Sequence, residues 1–360
     1  MEKKALRIGL NLGGWISQYP VYDDNHFKTF ITADDIKRIA DWGIDHVRLP
    51  VDYPVLEDPD QARAYIDSGF GYIENCLDWC SESGLRVVLD LHKAPGFAFD
   101  AQAENNLFGS PALQDRFLAL WEEIARRFAH RSDEMLAFEL LNEIVLPSSD
   151  PWNALYPQTV ERIRAISPQR LIVLGGNFFN DATQMHELTI LDDSRILYTF
   201  HFYRPMAITH QMAPWVPIVG ELSSPVEYPG SASSEMEILL KQYQQSGAKA
   251  DPGLDLQAAI IKFIGGETGV RFDKEYLRGP LGAAIEFSHR NNQPVYCGEF
   301  GVYEGAPIRT RINWTRDFIE LLNEAGIGRA YWTYKALDFG LVDKAGKVVN
   351  QELVDIVCKG

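Results

Sequence analysis

The sequence predicts a (β/α)8 barrel, and three observations carry that reading. Eight short, largely apolar runs recur along 360 residues, each followed by a loop and usually by an amphipathic helical pattern. The runs are almost continuously apolar, which suits parallel strands covered on both faces. Eight such strands can also lie open as a doubly wound sheet, and the polar residues decide between the two. A barrel gathers the carboxy-terminal ends of all its strands on one rim. Here those ends carry Asn11, Arg48, His92, Asn142 with Glu143, His201 with Tyr203, Glu299 and Trp332.

In chain order the runs are RIGLNL at 7–12, HVRLPV at 46–51, LRVVLDL at 85–91, MLAFELL at 135–141, RLIVLGG at 170–176, RILYTFHF at 195–202, PVYCGEF at 294–300 and GRAYWTY at 328–334. The helices between them carry boundary signals. Thr32, with Asp35 three residues on, predicts a capping box, and Gly43 stands where a left-handed residue ends a helix. Ser110 and Pro111 open a helix whose stripe is Leu113, Phe117, Leu120, Ile124 and Phe128. Asp150 and Pro151 open the next, in which Pro157 predicts a kink or an irregular first turn. INWTRDFIELLNEAG ends at Gly326.

The whole chain, 1–360, reads as one barrel domain. The stretch between His201 and Glu299 is expanded, so 206–292 is expected to form a small helical subdomain inserted after strand six, over or beside the rim. It opens with a Pro- and Ser-rich part at 213–234 and continues with EMEILLKQYQQ and LDLQAAIIKFI.

Composition narrows the class. With 46% hydrophobic and 23% charged residues the chain has ample core material. A formal net charge of −16 argues against nucleic acid or an anionic membrane face and carries no penalty for a neutral ligand. No apolar stretch reaches the roughly 20 residues of a membrane span, and the start, MEKKALRIGLNLGGW, is broken too early for a secretory segment. A cytoplasmic protein is expected if the start is native, a secreted one if a leader was trimmed. Cys76, Cys80, Cys297 and Cys358 are sparse and lack metal spacing, so buried reduced thiols are expected. Oligomeric state is not legible, and a monomer is the working expectation.

Glu143 and Glu299 end strands four and seven, which a barrel sets face to face. Two facing carboxylates can split the work on an acetal, one protonating the leaving oxygen while the other attacks or stabilises the anomeric carbon. Their surroundings must separate their pKa values. Arg48 is the candidate to keep Glu299 ionised, and Tyr203 can donate to the same carboxylate. His92 and His201 can orient a sugar or the carboxyl groups. Asn142 can grip a sugar 2-hydroxyl, and Trp332 offers a flat face to a pyranose. Trp15, Trp152 and Trp215 read as packing.

In order, NLGGW, VRLPVDY, LDLH, LLNE, HFY, GEFG and the late YW resemble glycoside hydrolase family 5, the cellulase-type barrels with catalytic carboxylates on strands four and seven. The motifs span Asn11 to Trp332, nearly the whole chain. LNLGGWISQY and ITHQMAPW are similar to bacterial endoglucanases of that family with a small helical insertion. The resemblance implies a retaining endo-β-1,4-glucanase acting on cellulose-type or mixed-linkage β-glucan. It assigns Glu143 as general acid/base and Glu299 as nucleophile, with Arg48, His92, Asn142, His201, Tyr203 and Trp332 in support. It implies no metal and no organic cofactor.

The chain departs from the pattern at Lys93, where these enzymes often have a second histidine, which alters the charge on the glycone side. LDLH followed by APG is similar to the β-1,3-glucanases of the family, whereas NEI and GEFG differ from their NEP and GEW. A β-1,3-glucanase or β-mannanase is therefore a second reading. Two other classes are a metal-dependent barrel hydrolase using His92, Glu143, His201 and Glu299, and a carbohydrate-binding protein without catalysis.

Overall fold

The computed structural model describes residues 6–100, 105–246, 261, 263–265 and 270–360. Eight strands form a closed barrel: β1 (Ile8–Asn11), β2 (His46–Asp52), β3 (Arg86–Lys93), β4 (Leu136–Glu139), β5 (Leu171–Gly175), β6 (Ile196–Phe202), β7 (Val295–Phe300) and β8 (Gly328–Tyr331). Every neighbouring pair is parallel and consecutive, and β1 bonds both β2 and β8, which closes the sheet and excludes the open alternative.

Alternation along the strands divides the barrel interior into levels. Val88, Ala137 and Val173 form an apolar floor, with Leu6, Leu171 and Leu197 against it. One step further toward the rim, Asp90 on β3 stands in register with Glu139 on β4. Arg48 on β2 joins them, and the rim residues lie above. A far larger apolar cluster fills the space between barrel and helices, including Trp121, Trp152 and Trp314. Near the first level His46 bonds the Tyr296 hydroxyl across the barrel at 2.7 Å. Gly9 permits this, because any Cβ there would collide with the imidazole.

Helix boundaries follow their signals. Thr32 and Asp35 form the capping box of helix Ala33–Asp41, and Gly43 adopts φ +87°. Ser110 caps helix Pro111–Arg127, and helix Ile308–Glu324 stops before Gly326 at φ +67°. Helix Asp150–Arg164 runs on through Pro157, which forfeits one rung of backbone bonding without ending the helix.

Three expectations change. β4 ends at Glu139, so Asn142 and Glu143 lie just past the strand; Asn142 N still bonds Leu91 O at 3.1 Å, but Glu143 turns to φ +43°. After β5 the connection holds no long helix but a four-residue helical turn, Asn177–Asn180, and the 3-10 helix Ala182–Glu187, on which helix Lys274–Asn291 packs. That long helix leads directly into β7 and belongs to the outer ring, so the final part of 206–292 is barrel and not insertion. The described remainder includes helix Met206–Thr209, the 3-10 helix Val219–Glu221, helix Ser234–Ser246 and a two-stranded ribbon pairing Gly230–Ser231 with Arg271–Phe272. The pattern LDLQAAIIKFI falls almost wholly outside the described residues. Among those residues no helix is long and apolar enough to cross a membrane. All four cysteines are free and buried.

Candidate active site

Arg48 organises the rim from below. Its side chain is fully buried and all its donors are used. Nε and Nη2 grip the two oxygens of Glu139 at 2.8 and 2.9 Å. Nη2 also reaches Asn142 Oδ1 at 2.9 Å and Asp90 Oδ2 at 3.0 Å. Nη1 reaches Asn11 Oδ1 at 3.0 Å and Glu299 Oε1 at 2.6 Å. Burial opposes the guanidinium charge, but Asp90, Glu139 and Glu299 around it outweigh that cost and hold it protonated well above the usual arginine range.

The two rim glutamates are buried and close. Some oxygen of Glu143, some oxygen of Glu299 and a ring nitrogen of His201 all lie within 4.8 Å of one another. His201 Nδ1 is 2.7 Å from Glu143 Oε1 and 3.6 Å from Glu299 Oε2. The Tyr203 hydroxyl donates to Glu299 Oε2 at 2.9 Å.

These surroundings separate the pair. Burial, then the Glu299 charge, push Glu143 well above the ordinary carboxyl range. Burial also raises Glu299, but Arg48, His92 and the Tyr203 hydrogen bond pull it back. Of the two, Glu143 keeps its proton to the higher pH. Burial holds His92 neutral by lowering it to about 4, and holds His201 far below the normal imidazole value.

The remaining predicted residues converge on the same point. His92 Nδ1 lies 2.7 Å from Asp90 Oδ2, and its ring stacks on Trp332 at 5.6 Å with planes 4° apart. Gly13 leaves room for the indole, since a Cβ there would sit 2.7 Å from it. Among the described residues, Asn142 Nδ2 and His92 Nε2 have no partner. Asn142 Oδ1 is taken by Arg48, so its amide is oriented with the N–H pair unspent.

Trp15 and Trp152 are buried packing residues, whose indole nitrogens bond Phe27 O and Gly175 O. Trp215 is not: half its surface is exposed, and it meets Tyr303 edge-on at 5.1 Å. Rings then run from Tyr303 to Phe339 to Tyr203, each step 6.0 Å, and so to Glu299. The exposed indole lies on an expanded loop, where periodicity gives no burial signal.

Sequence reasoning missed three buried polar residues. Asp90 and Glu139 lie two and four positions before His92 and Glu143, and period-2 alternation from the rim residue would have flagged Asp90 as inward-facing. Asn180, whose Nδ2 is 3.4 Å from His201 Nε2, has no local signal.

The donor set of Glu143, His201 and Glu299 is compact enough to hold a cation. Each of those carboxylates is already engaged, however, Glu299 by Arg48 and Tyr203 and Glu143 by His201. A divalent ion would have to sit beside the guanidinium charge, which disfavours it.

Comparison with known proteins agrees with this architecture. The family model for cellulase, glycosyl hydrolase family 5, matches residues 14–338. Endoglucanase C of Acetivibrio thermocellus is 40% identical over 99% of this chain and 98% of its own length. Cellodextrinase A of Ruminococcus flavefaciens is 33% identical over 91% of this chain and 85% of its own. The crystal structure of endoglucanase Cel5A from Thermotoga maritima superposes with a TM-score of 0.73 at 24% identity, covering 98% of this chain and 97% of its own, and so shares the fold. From barrel, rim and relatives together, the chain belongs to glycosyl hydrolase family 5.

Proposed function

We propose that this glycoside hydrolase is a retaining endo-β-1,4-glucanase, cutting internal bonds of cellulose-type or mixed-linkage β-glucan with Glu143 as general acid/base and Glu299 as nucleophile. The observation that carries the reading is the approach of the two carboxylates to within 4.8 Å. Retaining enzymes hold them about 5–5.5 Å apart, whereas inverting ones need about 6.5–9.5 Å to admit a water.

In the first step a Glu299 oxygen bonds to the anomeric carbon, the glycosidic C–O bond breaks, and the Glu143 proton passes to the departing oxygen. In the second, water attacks that carbon, ionised Glu143 takes its proton, and the ester bond to Glu299 breaks. The different surroundings of the pair support these roles, since Glu143 retains its proton while Arg48 and Tyr203 favour the Glu299 carboxylate.

Asn142 Nδ2 is assigned to the sugar 2-hydroxyl, a bond that strengthens as positive charge develops at the anomeric carbon. His92 Nε2 is assigned to a neighbouring hydroxyl, and Trp332 to the apolar face of the ring. A neutral polysaccharide suits a chain of net charge −16. The endoglucanase name of the 40% identical relative supports internal cutting of a glucan. The segment after β6 is read as a wall of the cleft beside Tyr203, where Trp215 is exposed.

Glu143→Ala and Glu299→Ala are each expected to lower turnover on soluble cellulose derivatives by several orders of magnitude. An NMR time course should show the first product with unchanged anomeric configuration. Full activity in both variants, or an inverted first product, overturns the proposal. Product profiles on defined β-1,4-, mixed-linkage and β-1,3-glucans and on mannan test the sugar and linkage.

A further inference from the structure

We infer that Asn180, on the turn that follows β5, is a positioning residue for Glu143 and acts on it through His201. The inference rests on the assignment of Glu143 as general acid/base.

The turn is unusual in its backbone. Phe178, Phe179 and Asn180 are three successive non-glycine residues with φ of 56°, 60° and 53°. Asparagine tolerates the left-handed region, but two phenylalanines do not, and such a conformation persists only where its surroundings over-determine it. Those surroundings are the backbone that follows Glu143. Asn177 accepts from Leu146 N and donates to Leu146 O, both at 2.9 Å, while its oxygen also accepts from Phe178 N at 2.8 Å. Phe179 N donates to Ile144 O at 3.0 Å. Behind the turn Phe178 stacks on Phe263 at 4.9 Å, and Asp181 holds Arg204 through two bonds of 2.8 and 2.9 Å. The turn therefore clamps residues 144–146, and Glu143 itself sits at φ +43°.

Asn180 is fully buried against Gly175, where any Cβ would collide with its amide. Its Nδ2 faces His201 Nε2 at 3.4 Å, and the opposite ring nitrogen, Nδ1, faces Glu143 Oε1 at 2.7 Å. A neutral imidazole has one N–H. With Nδ2 as the end of the amide that faces the ring, its N–H takes the lone pair on Nε2, and we assign the ring proton to Nδ1, facing Glu143. Asn180 thus selects the tautomer that gives the Glu143 carboxylate a donor after it has released its proton, and holds the side chain in one orientation toward the leaving oxygen.

The test exploits leaving groups. An unactivated cello-oligosaccharide needs its departing oxygen protonated, whereas 2,4-dinitrophenyl β-cellobioside does not. Asn180→Ala is expected to lower kcat/KM about 10- to 100-fold on the oligosaccharide and less than about threefold on the dinitrophenyl substrate, a fraction of what general acid catalysis contributes. Equal losses on both substrates, or no loss on either, overturn the inference.

Asn180→Asp keeps the shape, and so serves if the alanine variant does not fold. Its carboxylate accepts a hydrogen bond only from an Nε2–H, so the ring proton moves from Nδ1 to Nε2, Glu143 loses its donor, and a negative charge is added. Glu143 also feels Glu299, Arg48, Asp90, Glu139 and Tyr203, none of which this substitution alters. The falling limb of the pH profile should move up by about one unit, and an unmoved limb counts against the inference. Glu143→Ala, measured alongside, should show the same substrate pattern more strongly. Equal loss on both substrates in that variant overturns the assignment of Glu143 itself, and the inference with it.

Discussion

Arg48 and Glu139 face each other as a two-pronged ion pair with neither side chain exposed, Nε to Oε2 at 2.8 Å and Nη2 to Oε1 at 2.9 Å. The pair fixes the plane of the guanidinium, and that plane aims Nη1 at Glu299 and Nη2 at Asn142. A contact one level below the rim therefore sets the geometry of the groups above it.

Removing Glu139 is expected to be costly. Glu139→Ala should lose about 3–5 kcal/mol of stability, the range for breaking a buried pair from one side. Glu139→Gln, which keeps one acceptor, should lose less. Urea unfolding at neutral pH measures both, and an alanine variant within about 1 kcal/mol of the parent would show that Asp90 alone suffices to hold Arg48.

Activity should follow a bell-shaped pH profile, with Glu299 ionising on the rising limb and Glu143 losing its proton on the falling one. Arg48→Lys keeps the charge but cannot bond Glu139, Asn142 and Glu299 together. With less opposition to burial, Glu299 should titrate higher, so the rising limb moves to higher pH. The maximum of kcat/KM should fall on the order of 10²-fold. A lysine variant with an unshifted rising limb would separate Arg48 from the ionisation of Glu299.

Asp52, at the end of β2, is buried and raised to about 6, with only partial relief from His92 and Lys93. Its Oδ2 accepts from Gln18 N at 3.0 Å, while Oδ1 has no partner among the described residues. A carboxyl whose folded value is raised contributes stability that is present below its unfolded value and is lost as pH rises through the folded one. Asp52→Asn does not titrate, so its stability relative to the parent should rise by about 1–3 kcal/mol between pH 4 and pH 8. Denaturant melts at the two pH values measure this, and parallel curves would place Asp52 at an ordinary carboxyl value.

Chelation should leave turnover unchanged, because both carboxylates of the compact Glu143, His201 and Glu299 group already accept bonds from the protein. Dialysis against EDTA followed by a standard assay checks this. Loss of activity that a divalent ion restores would revive the metal-dependent reading.

The strands were legible because each is a short, largely apolar run, and the rim because seven of the eight strand ends carry a polar or aromatic side chain. Glu143, Glu299, Arg48, His92, Asn142, His201, Tyr203 and Trp332 all meet at one place for that reason. What escaped has physical causes. Asp90 and Glu139 sit inside apolar runs, where a single charge reads as noise until its inward direction is known. Asn180 reaches His201 only through three left-handed residues, a conformation that no propensity for Phe would suggest. The 3-10 helix after β5 and the outer-ring role of Lys274–Asn291 depend on which helix packs over which, a tertiary matter. Trp215 is exposed on an expanded loop, and its large apolar side chain favours the opposite reading.

Asn11 also has a role beyond its bond to Arg48. Its amide nitrogen reaches the carbonyls of Gly298 at 3.0 Å and of Ala330 and Tyr331 at 3.3 Å, lacing the start of the sheet to its last two strands. The guanidinium at the centre, itself on β2, draws its partners from β1, β3, β7 and from β4 and the residues just past it. No half of the polypeptide contains a complete set, so a ribosome-bound chain still lacking its seventh strand holds Arg48 with Asp90 and Glu139 but without Glu299. The cluster is complete only once synthesis has passed Glu299, and the seam at Asn11 is sealed later still, when the last strand supplies the carbonyls of Ala330 and Tyr331.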